Sequence, residues 1–438
     1  MEKKRELRVF LRMLANTVGA VGLVAVLASC STSPGYSYTI GGTVSGMVGS
    51  GMVLQNNGGD DRSISANGSF SFDTSLTSGT TYSITVKTQP TNPSQTCSVI
   101  TGSGTVNGAP VSNVVVDCVT GPTSVTVDPS GQFAYTANTD GTVSAYNIDS
   151  TYGTLQLLNN VTAGKYPVSV TVDPLKRGFA YAADAVDGTI WAYTIETDGK
   201  LNFLETVDAG AYPTSVTIDQ SGKFVYVANM GDNTISAYTI DPIYGTLTDL
   251  GTPVAAGKSP TSIITVDLLV GEFAYVANMS DKTIWSYSIN SSNGNLTYLG
   301  KADTGAYCSS VIVDQSGKFV YAANEGSNTI SVYTINQTTG ALVPGTAVAA
   351  GTYPTSVATA LVGSAEFAYT TNSGDGTIWF YSINSSNGKL TYLEKVTAGT
   401  YPASVAVDPL GKFAYVANMG GGNISVYKIN SDGTLTPQ

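Results

Sequence analysis

The feature that most constrains the fold is a repeat that fills the chain from about residue 120 onwards. Its seven copies begin at Phe133, Phe179, Phe224, Phe273, Phe319, Phe367 and Phe413, at steps of 46, 45, 49, 46, 48 and 46 residues. The third copy, residues 224–247, reads FVYVANMGDNTISAYTIDPIYGTL, which is two aromatic and β-branched runs joined by a polar turn and followed by a Gly-Thr-Leu restart. Such runs are typical of hairpin strands, and a period of this length predicts a solenoid, a propeller or an array.

Four strands are expected in each repeat. In the third copy they are PTSVTID (strand a, innermost), FVYVAN (strand b), TISAYTI (strand c) and LTDLGTPVAAG (strand d, outermost). Four-stranded units of this length are the size of a propeller blade, and propellers commonly have ~4 to 8 blades. We therefore predict an all-β fold in which seven blades close one ring over residues 120–438. Neither face of strand b is polar throughout, which indicates a sheet covered on both sides.

A finer period divides the blades into two types. Trp191, Trp285 and Trp379 occupy the same strand c position in the second, fourth and sixth copies, where the odd copies have serine. The ancestral unit therefore looks like a pair of blades, and with seven copies two odd blades must meet where the ring closes. The last outer strand, residues 433–438, is short. The sequence leaves open whether residues 111–116 complete that blade.

Two motifs carry a family resemblance. The Tyr-Val-Ala-Asn segments at residues 226–229, 275–278 and 415–418, together with Asp-Pro-x-Gly turns such as residues 408–411, resemble the bacterial YVTN repeat. The Gly-x-Leu restart after strand c resembles the seven-bladed lactonase-like propellers, the family of 6-phosphogluconolactonase. The resemblance implies a seven-bladed propeller. It also raises the possibility of lactone hydrolysis.

The N-terminus has the three parts of an export signal: a basic start, an apolar stretch over residues 14–28, and small residues at its exit. The apolar stretch is too short for the ~20 residues that cross a bilayer. Its end, Leu-Ala-Ser-Cys, resembles the lipobox of bacterial lipoproteins. The resemblance implies cleavage after residue 29 and acylation of Cys30, and Ser31 favours the outer membrane. An ordinary export signal with an incidental cysteine is the alternative.

Residues 30–36 are predicted to be a lipidated tether, and residues 37–119 a small β-sandwich. The short runs of this module are separated by Gly, Asn and Ser turns, a pattern typical of sandwiches. The module resembles Ig-like or carboxypeptidase-regulatory-like domains, which favours a spacer role. In an oxidising compartment Cys97 and Cys118 are expected to form a disulfide, with two separate thiols as the alternative. Cys308 would then be a buried, inert thiol rather than a reactive one.

The charge of the chain limits its partners. The full sequence has a net charge of −11, and removing residues 1–29, with five basic and two acidic side chains, leaves −14. Nucleic acids and anionic lipid surfaces attract clustered Lys and Arg, so neither is an expected partner. The predicted membrane contact is the lipid anchor.

The residues that perform catalysis in lactonase-like enzymes are missing. Those enzymes use His, Arg and carboxylates around the channel, commonly with Pro-Ser-His or Pro-Cys-His at the start of strand a. This chain has no histidine, and Arg62 and Arg177 are the only arginines after residue 29. No general base accompanies the serines of strand a, which are better interpreted as small channel-wall residues. They are Ser124, Ser169, Ser215, Ser262, Ser310, Ser356 and Ser404.

The recurring aspartates after strand a could suggest a calcium site, but Asp at such turns commonly bonds its own backbone. We interpret them as turn residues and predict no metal, no cofactor and no catalytic residue. They are Asp128, Asp173, Asp219, Asp267, Asp314 and Asp408.

One recurring feature remains as a candidate binding site. Because antiparallel strands reverse direction, the d-to-a and b-to-c loops share one face, here named the channel face; the other turns form the turn face. The channel face is expected to carry four residues of the b-to-c loops, Met230, Met279, Glu325 and Met419. It is also expected to carry five tyrosines of the d-to-a loops: Tyr166, Tyr212, Tyr307, Tyr353 and Tyr401. The tyrosines either bind a glycan, peptide or protein ligand, uncharged or cationic, or wedge between blades.

The sequence therefore favours a lipid-anchored, non-catalytic binding or scaffold protein of the cell envelope. A lactonase-like hydrolase with a rebuilt active site is the alternative.

Overall fold

A computed structural model of the protein describes residues 36–45, 47, 50–90, 97–99, 102–118 and 121–438. The predicted export signal, Cys30 and residues 31–35 lie outside the described residues. The chain divides between Thr120 and Gly121 into two compact units. Within the described part, every regular element is a β-strand. That part includes no helix of the length and apolarity needed to span a membrane.

The first unit is built from two four-stranded sheets, in the orders β5-β2-β10-β8 and β4-β3-β7-β9, with β1 and β6 as a separate pair. Buried residues of both sheets, such as Val44 and Leu54, belong to one apolar core. The ten strands are β1 (Ser37–Tyr38), β2 (Ile40–Ser45), β3 (Met52–Asn56), β4 (Asp60–Ile64), β5 (Gly68–Ser71), β6 (Leu76–Thr77), β7 (Thr81–Thr88), β8 (Ser98–Val99), β9 (Ser103–Thr105) and β10 (Val111–Asp117).

The structure answers two questions that the sequence left open: the state of the cysteines and the place of residues 111–116. Cys97 and Cys118 form a disulfide, and Cys308 is free and buried. Strand β10 pairs in parallel with β2 and antiparallel with β8, so residues 111–117 belong to the small unit and do not complete the last blade.

The second unit is the propeller. Blades 1 to 3 are β11 (Pro122–Val127), β12 (Phe133–Asn138), β13 (Thr142–Ile148), β14 (Leu155–Thr162); β15 (Pro167–Val172), β16 (Phe179–Asp184), β17 (Thr189–Ile195), β18 (Leu201–Asp208); and β19 (Pro213–Ile218), β20 (Phe224–Asn229), β21 (Thr234–Ile240), β22 (Leu247–Asp249), β23 (Val254–Ala255). Blades 4 and 5 are β24 (Pro260–Leu268), β25 (Gly271–Asn278), β26 (Thr283–Ile289), β27 (Leu296–Asp303); and β28 (Cys308–Val313), β29 (Phe319–Asn324), β30 (Thr329–Ile335), β31 (Leu342–Pro344), β32 (Val348–Ala349). Blades 6 and 7 are β33 (Pro354–Val362), β34 (Ala365–Asn372), β35 (Thr377–Ile383), β36 (Leu390–Thr397); and β37 (Pro402–Val407), β38 (Phe413–Asn418), β39 (Asn423–Ile429), β40 (Leu435–Pro437).

The predicted seven-bladed ring is confirmed. Each blade is an antiparallel sheet in the order a-b-c-d, and blades 3 and 5 split strand d into two short pieces that both pair with strand c. Each strand a packs beside strand a of the next blade, and β37 of blade 7 packs beside β11 of blade 1. Every blade is therefore made of consecutive strands, and the ring closes without a strand shared between blades 7 and 1.

The two faces of strand b explain how the blades stack. Phe224 and Tyr226 belong to an apolar cluster with blade 4, whereas Val225 and Val227 belong to a cluster with blade 2. All four side chains are buried. Burial of ~150–250 Å² per aromatic side chain makes these interfaces a main source of the stability of the ring.

An aromatic clasp joins neighbouring blades on the turn face. The Tyr226 hydroxyl donates a hydrogen bond to the carbonyl of Gly294, in the c-to-d turn of blade 4, at 2.8 Å. Gly294 has φ +74°, and a Cβ on it would lie 2.5 Å from the Phe224 ring, so this position requires glycine. The same bond is made by six strand b tyrosines: Tyr135, Tyr181, Tyr226, Tyr275, Tyr321 and Tyr369.

The interface between blades 7 and 1, here named the seam, has the smallest apolar cluster of the seven and lacks the aromatic clasp. Tyr415 is the seventh strand b tyrosine, and its buried hydroxyl has no hydrogen-bond partner among the described residues. The apolar cluster at the seam has 6 buried residues, whereas the other six blade interfaces have 11 to 14. As expected from the alternation of Trp and Ser, the two blades that meet here are both of the odd type.

The alternation has a structural cause at the end of strand b. In odd blades a buried asparagine donates to the strand c serine, as Asn229 does to Ser236 at 2.9 Å. In blade 4 Trp285 replaces that serine, and the Asn278 amide donates instead to backbone carbonyls. In blade 2 an aspartate, Asp184, takes the place of the asparagine.

Candidate functional site

The channel-face loops depend on a glycine packed against the end of strand b. The Gly210 N–H donates to the Asn229 side-chain oxygen at 3.2 Å, and a Cβ on Gly210 would lie 2.6 Å from that amide group. Gly399 and Asn418 repeat the arrangement in blade 7. This close approach explains the recurring Ala-Gly before the tyrosines and brings each d-to-a loop down onto its own blade.

The residue two positions after this loop glycine has an unusual backbone conformation. Tyr212, Tyr307, Tyr353 and Tyr401 have φ between 51° and 56°, and Ser259 has the same conformation in blade 4. A positive φ is rare for bulky side chains and costs on the order of 1 kcal/mol or more. The carbonyl of this residue accepts a backbone N–H of the b-to-c loop, as Tyr212 does from Met230 at 2.9 Å. The two loops of each blade are thereby tied together.

A pocket of about 200 Å³ lies on the axis of the ring at this face. Its wall uses the residue after the first position of strand a from all seven blades. The loops above it contribute three tyrosines and three residues that follow strand b. The lining is Thr123, Val168, Thr214, Thr261, Ser309, Thr355 and Ala403 from strand a, with Tyr166, Tyr212, Tyr401, Met279, Glu325 and Met419 from the loops.

The five predicted tyrosines do not all reach this pocket. Tyr166, Tyr212 and Tyr401 line it and are half-buried. Burial raises the pKa of Tyr212 to about 12, so its hydroxyl stays protonated at neutral pH. Tyr307 and Tyr353 are not among the lining residues and are 36 % and 42 % exposed. A binding role for the tyrosines stays a prediction, and the pocket gives it a location for three of them.

The hydroxyl groups of the pocket wall donate hydrogen bonds to backbone carbonyls of the neighbouring blade. The Thr214 hydroxyl donates to the carbonyl of Pro260 in the next blade at 2.9 Å and also approaches the carbonyl of Ala228. Thr123, Thr261, Ser309 and Thr355 bridge to the following blade in the same way. Val168 and Ala403 cannot make this bridge because they have no hydroxyl. The wall therefore presents methyl groups and backbone more than free hydroxyls.

The recurring serines of strand a have a structural role as well. The Ser215 hydroxyl accepts the N–H of Ile263 in the next blade at 3.3 Å, and Ser404 accepts the N–H of Val125 across the seam at 3.4 Å. Four others repeat the bond: Ser169, Ser262, Ser310 and Ser356. They hold neighbouring blades together, and none of them is among the residues that line the pocket, so their place on the channel wall stays a prediction.

The aspartates of the a-to-b turns accept backbone N–H groups, as predicted. Asp128, for example, bonds the N–H of Ser130 at 3.0 Å and that of Phe133 at 2.8 Å. Asp267 is an exception and corrects the sequence interpretation, because strand a of blade 4 continues to Leu268 and Asp267 is an exposed strand residue. The longer hairpin of this blade removes the turn that the aspartate would have capped.

The charged groups of the turn face are far from the channel-face loops along each strand. Arg177 forms an ion pair with Asp173 at 2.7 Å and also donates to the Gly222 carbonyl of blade 3. Glu272 of blade 4 accepts the N–H of Gln220 at 3.1 Å and lies beside Asp219. Burial, with the nearby Asp219 charge, raises the pKa of Glu272 to about 7. Glu366 repeats this arrangement beside Asp314.

Glu325 is the charged side chain of the pocket lining. Only 9 % of its surface is exposed, and burial raises its pKa to about 7. Loop parity in the sequence places Glu325 on the channel face, but its burial was not predicted. A single acidic residue at a position that is Met in three other blades was the available signal.

Comparisons with known proteins match the propeller. The family model described as lactonase, seven-bladed β-propeller matches residues 88–183, 175–265, 268–359 and 343–438. A comparison with curated proteins gave no match.

Several solved structures share the fold. A candidate 6-phosphogluconolactonase from Bacteroides fragilis is 21% identical with a TM-score of 0.58, over 69% of this chain and 90% of that chain. The periplasmic gluconolactonase of Pseudomonas aeruginosa is 16% identical with a TM-score of 0.57, over 64% and 86%. Hydrazine synthase from Kuenenia stuttgartiensis is 16% identical with a TM-score of 0.57, over 71% and 96%. At these identities the likeness establishes the fold alone.

Proposed function

This chain belongs to the seven-bladed β-propeller lactonase family, and on that premise we propose that it uses the family fold to bind a small ligand rather than to hydrolyse a lactone. The observation that carries the proposal is the axial pocket of about 200 Å³, whose lining combines three tyrosines and two methionines with a single charged side chain. Small-molecule sites are concave and mainly apolar with a few polar groups, and a volume of about 200 Å³ suits a ligand smaller than a typical drug.

The chemistry available in the pocket supports binding over catalysis. The chain has no histidine. The hydroxyls of the wall are engaged in hydrogen bonds between blades, and Arg177 is on the turn face. A hydrolase needs both a group that activates water and donors that stabilise the developing oxyanion. Among the lining residues, Glu325 could serve as the first, and no lysine or arginine is present to serve as the second.

Lactone hydrolysis is the second candidate, and one observation favours it. Burial raises the pKa of Glu325 to about 7, which is the range that suits a general base at neutral pH. In this reading Glu325 would take a proton from a water molecule as that water attacks the lactone carbonyl. The developing charge would have to be met by tyrosine hydroxyls, which are weaker stabilisers than cations.

One experiment separates the two functions. The purified protein and its Glu325→Gln variant are incubated with a panel of aldonolactones, and acid release is followed against buffer. Binding predicts no turnover above buffer for either protein. Turnover that the Glu325→Gln variant loses would establish the hydrolase and overturn the binding proposal.

The tyrosines offer a matched pair for the binding test. Tyr401 and Tyr353 occupy the same loop position with φ of 51° and 53°, but only Tyr401 lines the pocket. Any ligand found by a thermal-shift screen of small molecules should bind more weakly to Tyr401→Ser and equally well to Tyr353→Ser. Equal losses in both variants would place the ligand outside the pocket.

For the location of the protein we propose export and attachment to the outer membrane through a lipid on Cys30. The support is the lipobox-like sequence that ends at this cysteine. The small two-sheet unit between the anchor and the propeller would then act as a spacer.

A further inference from the structure

Glu325 is a buried residue that lines the axial pocket. Its backbone N–H donates to the Tyr307 carbonyl at 2.9 Å, which fixes the start of the b-to-c loop. No hydrogen bond or ion pair to its carboxylate is found among residues 121–438. Burying a charge without a partner is costly, so a carboxyl group in this setting is stabilised either by remaining protonated or by binding a cation.

Among the described residues, the pocket lining supplies no positive charge. The titratable groups that line the pocket beside Glu325 are the three tyrosines, Tyr166, Tyr212 and Tyr401. Tyr307 and Cys308 lie behind it on its own blade, and Asp184 lies behind Tyr166, whose N–H it accepts at 2.6 Å. The rise in the pKa of Glu325 comes from burial, with no charged neighbour contributing.

The loops around the pocket mouth are also acidic. Within 121–438 the d-to-a and b-to-c loops carry three lysines and six carboxylates. The lysines are Lys165, Lys258 and Lys282, and the carboxylates are Asp140, Asp187, Asp232, Asp281, Glu325 and Asp375. Lys165 is paired with Asp187. A phosphorylated or carboxylated ligand would therefore meet repulsion at the mouth and Glu325 inside.

The remaining lining suits the apolar part of a cation. Tyrosine rings attract cations through their faces, and Met279 and Met419 provide polarisable, adaptable contacts. We propose that the pocket binds an organic monocation, a quaternary or protonated amine with a small apolar body, whose charge is met by the Glu325 carboxylate. This inference rests on the proposed binding function and specifies the ligand class.

The inference predicts a pH dependence with a definite sign. A cation binds the ionised form of Glu325, so it must displace the proton that the free pocket holds below pH 7. With a pKa of about 7, affinity should rise roughly tenfold from pH 6 to pH 8. A neutral ligand that accepts a hydrogen bond from protonated Glu325 would show the opposite trend.

The test uses three aromatic probes of similar size: benzyltrimethylammonium, whose charge is independent of pH, benzyl alcohol, which is neutral, and benzoate. Binding to the whole protein is measured by calorimetry at pH 6 and pH 8. We expect benzyltrimethylammonium to bind most tightly and to gain roughly tenfold in affinity at pH 8. Glu325→Gln should bind it at least tenfold more weakly at pH 8 and lose the pH dependence. Glu394→Gln, which changes an exposed carboxylate on outer strand d of blade 6, is the matched control and should change affinity less than twofold.

The outcomes distinguish this inference from the proposed function. Benzyl alcohol binding as tightly as the cation, or Glu325→Gln leaving cation binding unchanged, overturns the organic-cation inference and leaves small-ligand binding standing. Tightest binding of benzoate does the same. Absence of binding by all three probes overturns the inference, and the lactone assay then decides the function. Circular dichroism and the melting temperature of Glu325→Gln check that the variant is folded.

Discussion

The hydroxyl of the strand b tyrosine can be removed at two positions that differ in one respect. Tyr226 and Tyr415 are both fully buried at the same place in their blades. The Tyr226 hydroxyl donates to the Gly294 carbonyl at 2.8 Å, whereas the Tyr415 hydroxyl has no partner in the described residues. Tyr226→Phe and Tyr415→Phe remove the same atom from a bonded and an unbonded setting.

The expected changes in unfolding free energy have different signs. Tyr226→Phe loses a buried hydrogen bond and leaves a carbonyl without this donor, which costs about 1–2 kcal/mol. Tyr415→Phe removes a buried hydroxyl that has lost its water without gaining a partner. Relieving that cost should leave stability unchanged or raise it by about 1 kcal/mol. The two variants should therefore differ by roughly 2 kcal/mol.

Urea unfolding followed by tryptophan fluorescence measures this difference in the whole protein. All three tryptophans are in the propeller, so the signal reports that unit and not the small one. The wild type is compared with both variants under the same conditions. Equal destabilisation by Tyr415→Phe and Tyr226→Phe would refute the reasoning, because the Tyr415 hydroxyl would then have a partner of equal value.

Four further predictions follow from other parts of the molecule. In protein whose Cys30 is acylated or replaced by Ala, Cys308 should not react with a thiol reagent until the propeller unfolds, because burial raises its pKa to about 12. One thiol per chain should then be titrated. The pKa of Glu272 is raised in the folded state, so its contribution to stability falls as pH rises from about 4.5 to 7. Glu272→Gln relieves the repulsion with Asp219 and should raise the melting temperature at pH 8, with little effect at pH 4. A larger effect at pH 4 than at pH 8 would contradict this. Tyr353 has a positive φ, which glycine adopts without strain and alanine does not. Tyr353→Gly should therefore destabilise the protein less than Tyr353→Ala, although both remove the ring, and urea unfolding of the two variants measures the difference. Cys30→Ala should move the protein from the membrane to the soluble fraction, because acylation contributes ~0.8 kcal/mol per buried methylene, and unchanged fractionation would count against the anchor.

The repeat period predicted the ring because the pattern is local. A strand such as Phe224–Asn229 alternates side chains to two covered faces, and seven such strands at equal spacing leave few architectures. Loop parity also assigned Met279, Glu325 and Met419 to one face. The prediction worked for most contacts within one blade, and the a-to-b turn of blade 4 is the exception.

The pocket could not be predicted because its contacts come from different blades. Glu325 lines the pocket together with residues from all seven blades, so the lining is assembled only when the ring closes. Tyr401 lines the pocket and Tyr353 does not, although both have the same local sequence. Asp267 was misassigned for a different reason, since the longer strand a of blade 4 replaces a capped turn by a tight hairpin.

The seam gives the propeller a direction of mechanical weakness. Blade 1 begins at residue 121 and blade 7 includes residue 438, so tension applied between these residues acts across the one interface with the smallest apolar cluster and no clasp bond. Ala403 also lacks the hydroxyl that bridges blades elsewhere, and the Ser404 bond to Val125 remains. Under such a load the seam should open first, at a lower force than the interfaces that have larger apolar clusters and a clasp bond. A load applied within the ring would instead act in shear on the larger interfaces.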